Sequence, residues 1–253
     1  MVQGVDKSET LLYMCTTCRI VHPDKPDVGL NVLVGTSQLH GLHHPRDPNK
    51  KAMAPDPFHI DWLTVCGATI PELEYAWRRD YESCKHPMRI LLSAGLDDLA
   101  RGRTRDEIVE SFLHFKMVVD RQNTRHPSLK NELVIATMMN PPRFVWFKDN
   151  GPAPRDHKDM LKEIMELNSW IVFFNKQNGK TVTPRFHRFG IRDSMTRNED
   201  GKKVRVKKHI MAQWDLSEPV LQRMHLTDQV RHRMGLSVTR HFRGEFERHG
   251  KLG

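Results

Sequence analysis

Short apolar runs of strand length alternate along the chain with longer amphipathic stretches. The strand-like runs cover residues 31–35, 60–66, 89–94 and 132–137. The amphipathic stretches carry apolar residues three or four positions apart, which is the spacing of one helix face, and they cover residues 71–84, 104–120, 156–175 and 228–242. Predominantly apolar strands, each followed by a helix, are typical of a parallel sheet covered on both faces. The pattern therefore predicts an α/β protein, a three-layer α/β/α sandwich.

Four further segments complete this prediction. Residues 182–189 can form a fifth strand, although Pro184 weakens it, so we expect a mostly parallel sheet of roughly five strands. An Asp-Gly pair between two polar, β-prone arms predicts a β-hairpin at about residues 194–209. Residues 40–59 and 148–154 are expected to be irregular insertions. One domain would then span residues 29–253, after an N-terminal extension over residues 1–28.

Composition narrows the class of protein. The chain has 253 residues, and no apolar run approaches the roughly 18–20 residues that span a bilayer. The first residues lack the basic start, the apolar stretch and the small-residue cleavage site of a secretory leader. Four cysteines without an export signal indicate free thiols in a reducing compartment. We therefore expect an intracellular protein, cytoplasmic or nuclear, without a membrane span.

The chain is basic, with 40 Lys and Arg against 31 Asp and Glu, a net charge of +9. A basic protein can bind phosphate backbones, or it can simply carry a well-solvated surface. The densest positive segment is the second arm of the predicted hairpin, where cations alternate with valines. Its candidate RNA- or DNA-binding residues are Lys203, Arg205, Lys207 and Lys208. The alternative is an edge strand that its lysines protect from aggregation.

A Cys-x-x-Cys pair near the N-terminus is a candidate metal motif. Cys15, Cys18 and His22 have spacing close to that of zinc ligands, but no fourth ligand is evident. Buried free thiols explain these residues better. We predict no metal and no cofactor.

Glycine-containing loops follow the first three predicted strands. The first strand ends at Gly35-Thr36-Ser37, the second at Gly67 and the third at Gly95, with Asp97 and Asp98 just after it. Because ligands of open α/β sheets bind beyond the carboxyl ends of the strands, these loops mark the expected site. Carboxylates at a helix start also stabilise the helix dipole, and this is the role we expect for Asp98.

Read in order, four segments of the sequence resemble the SGNH hydrolase (GDSL esterase/lipase) family. They are VLVGTSQLHG, TVCGATIPEL, LLSAGLDDLARG and LQRMHLTDQVRHRMG. Their order and spacing match the family over nearly the whole chain, from about residue 31 to residue 242. The runs NPPRFVWF and TPRFHRFG are similar to those of divergent SGNH-like domains in retroelement-associated proteins. The resemblance implies a flavodoxin-like α/β domain.

The resemblance also implies residue roles. Ser37 would be the nucleophile and His225 its general base, since a serine hydroxyl needs a neighbouring imidazole to take its proton. The backbone N–H groups of Ser37 and Gly67 would stabilise the oxyanion formed during hydrolysis of a small ester.

The sequence departs from the family pattern at three positions. Thr36 stands where the family has Asp, and Gln222 stands where an Asp usually orients the histidine; Asp215 or Glu218 could replace it. Asp97 stands where an Asn usually donates to the oxyanion, and an ionised carboxylate cannot donate. Two functions therefore stay open: a weakened serine esterase, and a catalytically inactive module for RNA or DNA binding or for assembly.

Overall fold

A computed structural model describes residues 30–36, 39, 60–84, 86–140, 157–180, 182–187, 191–197, 199–209 and 226–249. The elements are β1 (Leu30–Gly35), β2 (Ile60–Thr64), α1 (Ile70–Tyr81), β3 (Met88–Ser93), α2 (Leu96–Ala100), α3 (Arg105–Arg125), β4 (Glu132–Ile135), α4 (His157–Gln177), β5 (Ile191–Arg197), β6 (Lys203–His209) and α5 (Asp228–His249). In these ranges no helix combines the length and the apolarity that crossing a membrane requires. The N-terminal extension and the insertions at 40–59 and 148–154 lie outside the described residues.

Strands β1 to β4 form a parallel sheet in the order β2-β1-β3-β4. At the centre of the sheet, Val32 of β1 is in register with Asp61 of β2 and Ile90 of β3. Every residue of β1 after Leu30 is buried, as expected for a central parallel strand. The predicted α/β class and mostly parallel sheet are confirmed, with four strands in the described part of the sheet.

Helices cover both faces of this sheet, because successive strand residues point to opposite sides. Val32 packs in a core with α1 to α4, while its neighbour Leu33 packs in a second core with α5. The largest buried side chains of the first core are Trp77, Phe112 and Phe115. The second core contains Met234, Val238 and Phe242 of α5. The molecule is thus the predicted three-layer sandwich.

Helix α3 begins at the predicted capping box but runs beyond the predicted end at residue 120. The Thr104 hydroxyl accepts from the Glu107 N–H, while the Glu107 carboxylate accepts from the Thr104 N–H at 2.7 Å. In the extra turn, the buried Gln122 donates to the Tyr81 carbonyl at 2.8 Å and accepts from the Trp77 indole. This contact with α1 stabilises the last turn of α3, where the sequence shows no apolar periodicity.

The prediction of a fifth strand over residues 182–189 is wrong for its described part. Residues 182–187 are irregular, and a single backbone hydrogen bond joins them to the end of β4, from Thr137 N–H to the Pro184 carbonyl at 3.0 Å. The edge of β4 is bound by side chains instead. Asn175 of α4 accepts from Ile135 N–H at 3.1 Å and donates to the Ile135 carbonyl at 2.8 Å. Asn168 binds the backbone of Met138 in the same way.

The predicted hairpin is present as a separate two-stranded antiparallel sheet, β5-β6. It spans residues 191–209, slightly more than the sequence indicated. Gly201 in the turn has a φ of +74°, a conformation that glycine adopts without steric cost.

Candidate functional site

The carboxyl ends of the four parallel strands meet at one edge of the sheet. Val65 N–H donates to the Gly35 carbonyl at 3.0 Å, and Ala136 N–H donates to the Leu92 carbonyl at 2.8 Å, so the pairing continues just past the strands. The three glycine-containing loops therefore leave the sheet side by side, where the rules for open α/β sheets place ligands. Gly67, Thr36 and Asp97 all belong to this edge.

Gly35 ends β1 where the chain has no room for a side chain. A Cβ at this position would lie 2.6 Å from the backbone carbonyl oxygen of Ser93 and would also overlap the Leu39 side chain. Glycine is thus required by the close approach of β1 and β3. Thr36, which follows it, is buried.

A tight turn over residues 65–68 follows β2. It is closed by a hydrogen bond from Ala68 N–H to the Val65 carbonyl at 3.3 Å, and Gly67 has a φ of +68°. Such a conformation at the third residue is typical of a type II turn, which favours glycine there. The turn is exposed at Cys66 and half-exposed at Gly67.

The loop after β3 begins a short helix, α2. Gly95 precedes the helix with a φ of +104°, and a Cβ here would lie 2.7 Å from the Met138 sulfur. The first turn of α2 carries Asp97 and Asp98, whose relative exposures are 2% and 0%. Both carboxylates are therefore enclosed by the protein, although neither belongs to a predominantly apolar segment.

Asp98 does more than stabilise its own helix. Its carboxylate accepts from Ile70 N–H, the first residue of α1, at 3.0 Å and from the Arg103 guanidinium at 2.8 Å. Burial raises the pKa of Asp98, and this effect outweighs the opposing influence of the Ile70 amide and of Arg103. Arg103 also donates to the Ser111 hydroxyl at 2.9 Å. Asp98 thus joins the loops that follow β2 and β3.

Arg101, at the end of α2, makes a second bridge between the same loops. Its guanidinium donates to the Gly67 carbonyl at 2.7 Å and to the Glu72 carboxylate at 3.0 Å. Glu72 in turn accepts from Thr69 N–H at 2.7 Å. Partial burial would raise the pKa of Glu72, but the hydrogen bonds from Thr69 and Arg101 hold it below its usual value.

The other predicted catalytic residues lie outside the described residues. They are Ser37, His225, Gln222, Asp215 and Glu218. The predicted metal candidates Cys15, Cys18 and His22 also lie outside them. Within the described part of the chain, no group of three or more His, Cys, Asp or Glu side chains could hold a metal ion.

The register of the hairpin divides the predicted nucleic-acid-binding residues. Lys203, Arg205 and Lys207 occupy alternate positions of β6 and share one face, on which Arg197 is in register with Lys203 and Asp193 with Lys207. Lys208 occupies a position on the opposite face. Three of the four candidate residues therefore occupy positions on one face of β6, and Lys208 occupies a position on the other face.

Sequence reasoning missed the polar residues that join the loops. Arg101, Arg103 and Glu72 bind partners 5 to 34 residues away along the chain. A local signal existed for Glu72 alone, which forms a capping box with Thr69 at the start of α1. Sequence reasoning also missed a contact at the end of β4, where His187 Nδ1 lies 2.8 Å from the hydroxyl of the fully buried Thr137.

Solved structures share this architecture. A Bacteroides fragilis protein described as an acylhydrolase matches with a TM-score of 0.62 and 14% identity, over 96% of this chain and 99% of that one. A GDSL-like lipase of Bacteroides thetaiotaomicron matches with a TM-score of 0.55 and 15% identity, over 85% and 88%. A G-D-S-L family lipolytic protein of Veillonella parvula matches with a TM-score of 0.53 and 10% identity, over 82% and 94%.

No protein-family model and no curated protein matches the sequence. At these identities the structural likeness shows the fold alone. The chain has an SGNH-like fold, and the resemblance read from its four sequence segments is confirmed at that level.

Proposed function

We propose that this chain is an SGNH-type serine ester hydrolase acting through Ser37 and His225. One observation carries the proposal: the Gly67 turn and the Asp97 loop lie at the same sheet edge as Gly35 and Thr36, which lead directly into Ser37. The fold that this chain shares with lipolytic proteins supports it.

The proposed reaction proceeds in two steps. The Ser37 hydroxyl oxygen bonds to the acyl carbon while His225 takes its proton, and the N–H groups of Ser37 and Gly67 stabilise the resulting oxyanion. The C–O bond to the alcohol then breaks, and His225 returns the proton to the departing alkoxide. His225 then takes a proton from water, whose oxygen bonds to the acyl carbon of the acyl-Ser37 intermediate. The bond from this carbon to the Ser37 oxygen breaks, His225 returns the proton to Ser37, and the acid is released.

Asp97 sets the expected level of activity. A carboxylate at the position of an oxyanion donor cannot donate when ionised and repels developing negative charge. Loss of one such donor typically costs about 10²–10³ in rate. The wild-type protein is therefore expected to be a slow esterase, and Asp97→Asn should raise its rate by about tenfold or more.

The test is labelling with a fluorophosphonate probe, together with hydrolysis of p-nitrophenyl acetate. Wild type should be labelled, Ser37→Ala should lose labelling and turnover, and Ser83→Ala, which removes an exposed serine in the turn after α1, should match wild type. Equal turnover of wild type and Ser37→Ala, with no label on Ser37, would rule out the esterase.

The hairpin supports a second candidate function, the binding of RNA or DNA through phosphate contacts. Lys203, Arg205 and Lys207 occupy alternate positions of β6, so one face of the hairpin has a row of three cationic positions, which suits a phosphate backbone. Each phosphate contact contributes about 0.9 to the slope of log affinity against log salt on duplex DNA.

Replacing Lys203, Arg205 and Lys207 with Gln should lower the slope of log affinity against log salt by about two to three on duplex DNA, because each lost phosphate contact removes about 0.9. Lys208→Gln, on the opposite face of the hairpin, is the control and should lower it by less. Binding that is absent at low salt, or a slope that the triple variant leaves unchanged, would exclude this function.

A further inference from the structure

We propose that Arg101 is a positioning residue, which holds the turn after β2 so that the Gly67 N–H keeps the orientation of an oxyanion donor. The role in catalysis rests on the proposed hydrolase function. The role in holding the turn does not, because it can be measured in the absence of turnover.

Few other contacts constrain Gly67 within this turn. Among the described residues, no atom lies within 4 Å of the position that a Cβ would take at Gly67, so packing does not fix this glycine. Glycine also has the widest conformational freedom of any residue. The peptide that joins Gly67 to Ala68 is held by the hydrogen bond from Ala68 N–H to the Val65 carbonyl at 3.3 Å and by the Arg101 hydrogen bond at 2.7 Å, of which the second is the shorter and carries a charge. The Gly67 N–H belongs to the preceding peptide, so Arg101 acts on it through the conformation of the turn.

Arg101 also connects the two sides of the proposed oxyanion site. Its backbone N–H donates to the carbonyl of Asp97 at 3.0 Å, while its side chain donates to the carbonyl of Gly67. Gly67 and Asp97 occupy two of the three positions where the resemblance places oxyanion donors, the third being Ser37. Arg101 links these two positions directly, in addition to the bridge that Asp98 makes to the start of α1.

An arginine suits this role better than a lysine. The planar guanidinium donates to Gly67 through one nitrogen and to Glu72 through another, and the Glu72 carboxylate is itself fixed by Thr69. A lysine ammonium is a single point donor on a flexible stem, so it can reach one of the two acceptors but does not hold them at a fixed angle. Since the Arg101 side chain is 37% exposed, the contact acts mainly on orientation and little on global stability.

The experiment compares Arg101→Met, Arg101→Lys and the control Arg125→Met in the full chain. Arg125 also makes a long-range ion pair, with Glu82 at 3.2 Å, at the other end of α3. Each variant is assayed for p-nitrophenyl acetate hydrolysis. Hydrogen exchange of the Ala68 amide, whose hydrogen bond to Val65 closes the turn, is followed by NMR, and thermal unfolding checks that each variant is folded.

Arg101→Met should lower kcat by about tenfold or more with KM within about twofold, because an oxyanion donor acts in the transition state. Arg101→Lys should recover part of the loss, and Arg125→Met should match wild type. Exchange of the Ala68 amide should accelerate at least about fivefold in Arg101→Met and should stay at the wild-type rate in Arg125→Met.

Unchanged exchange of the Ala68 amide in Arg101→Met would overturn the proposal whatever the kinetics. Faster exchange with unchanged kcat would also overturn it, because Arg101 would then hold the turn without positioning a donor. If wild type itself hydrolyses no ester and takes no label, the proposed hydrolase fails, and the exchange measurement still decides whether Arg101 holds the Gly67 turn.

Discussion

The carboxylate of Asp98 offers the sharpest test of how the site is built, because it can be removed in two ways. Asp98→Ala leaves the Ile70 N–H without its acceptor, whereas Asp98→Asn keeps an oxygen where that N–H points. Ile70 and Asp98 are both fully buried, and their hydrogen bond measures 3.0 Å. The two substitutions therefore separate the hydrogen bond from the charge.

The expected cost follows from the contacts that each variant loses. An unsatisfied buried N–H costs about 1–3 kcal/mol. Losing the pair with Arg103 adds no more than about 1 kcal/mol, because that side chain is 27% exposed and keeps its hydrogen bond to Ser111. Asp98→Ala should thus cost about 1–4 kcal/mol. Asp98→Asn should cost less than about 1 kcal/mol, because it keeps the hydrogen-bond acceptor and because burial of the ionised carboxylate offsets its pairing with Arg103. Urea unfolding at pH 7 measures both, and equal losses for the two variants would refute the role assigned to the Ile70 hydrogen bond.

The comparison of wild type with Asp98→Asn also tests the effect of burial on the pKa of Asp98. The pKa of Asp98 is raised in the folded protein, so between the unfolded and folded pKa values the native state binds more protons. The contribution of Asp98 to the free energy of unfolding is fully present at pH values below its unfolded pKa of about 3.9. That contribution is lost as the pH rises through its pKa in the folded protein. The stability of wild type relative to Asp98→Asn should therefore fall with rising pH in that window. A rise instead would mean that Arg103 and the Ile70 amide outweigh burial.

Three further substitutions test the framework around the site, each by thermal or urea unfolding. Asn175→Leu removes both side-chain hydrogen bonds to the buried Ile135 backbone and should cost about 2–4 kcal/mol; a loss below about 1 kcal/mol would show that other groups satisfy that edge. Gly35→Ala forces a Cβ against the Ser93 carbonyl and should cost about 1–3 kcal/mol, whereas wild-type stability would mean that the strands can separate. Thr104→Ala removes one half of the α3 capping box and should cost about 1 kcal/mol; no change would place the start of α3 under tertiary control.

Local sequence signals were sufficient wherever one segment carried its own pattern. The apolar runs placed β1 to β4 within one or two residues, and the spacing of Thr104 and Glu107 placed the start of α3. Glycines after the strands marked the edge of the sheet, because tight turns and close backbone approach exclude other residues. The four ordered segments indicated the SGNH-like fold.

The tertiary structure decided everything that depends on partners distant in sequence. Residues 182–187 do not pair as a strand, because Asn175 binds the β4 edge from another layer. Arg101 and Asp98 bridge two loops that meet only once β2 and β3 lie two strands apart in the same sheet. The sequence by itself determined which segments are strands, helices and turns, since hydrophobic periodicity is a local property. Only the folded chain determined which polar groups meet at the site, because a hydrogen bond depends on distance in space and not on spacing along the chain.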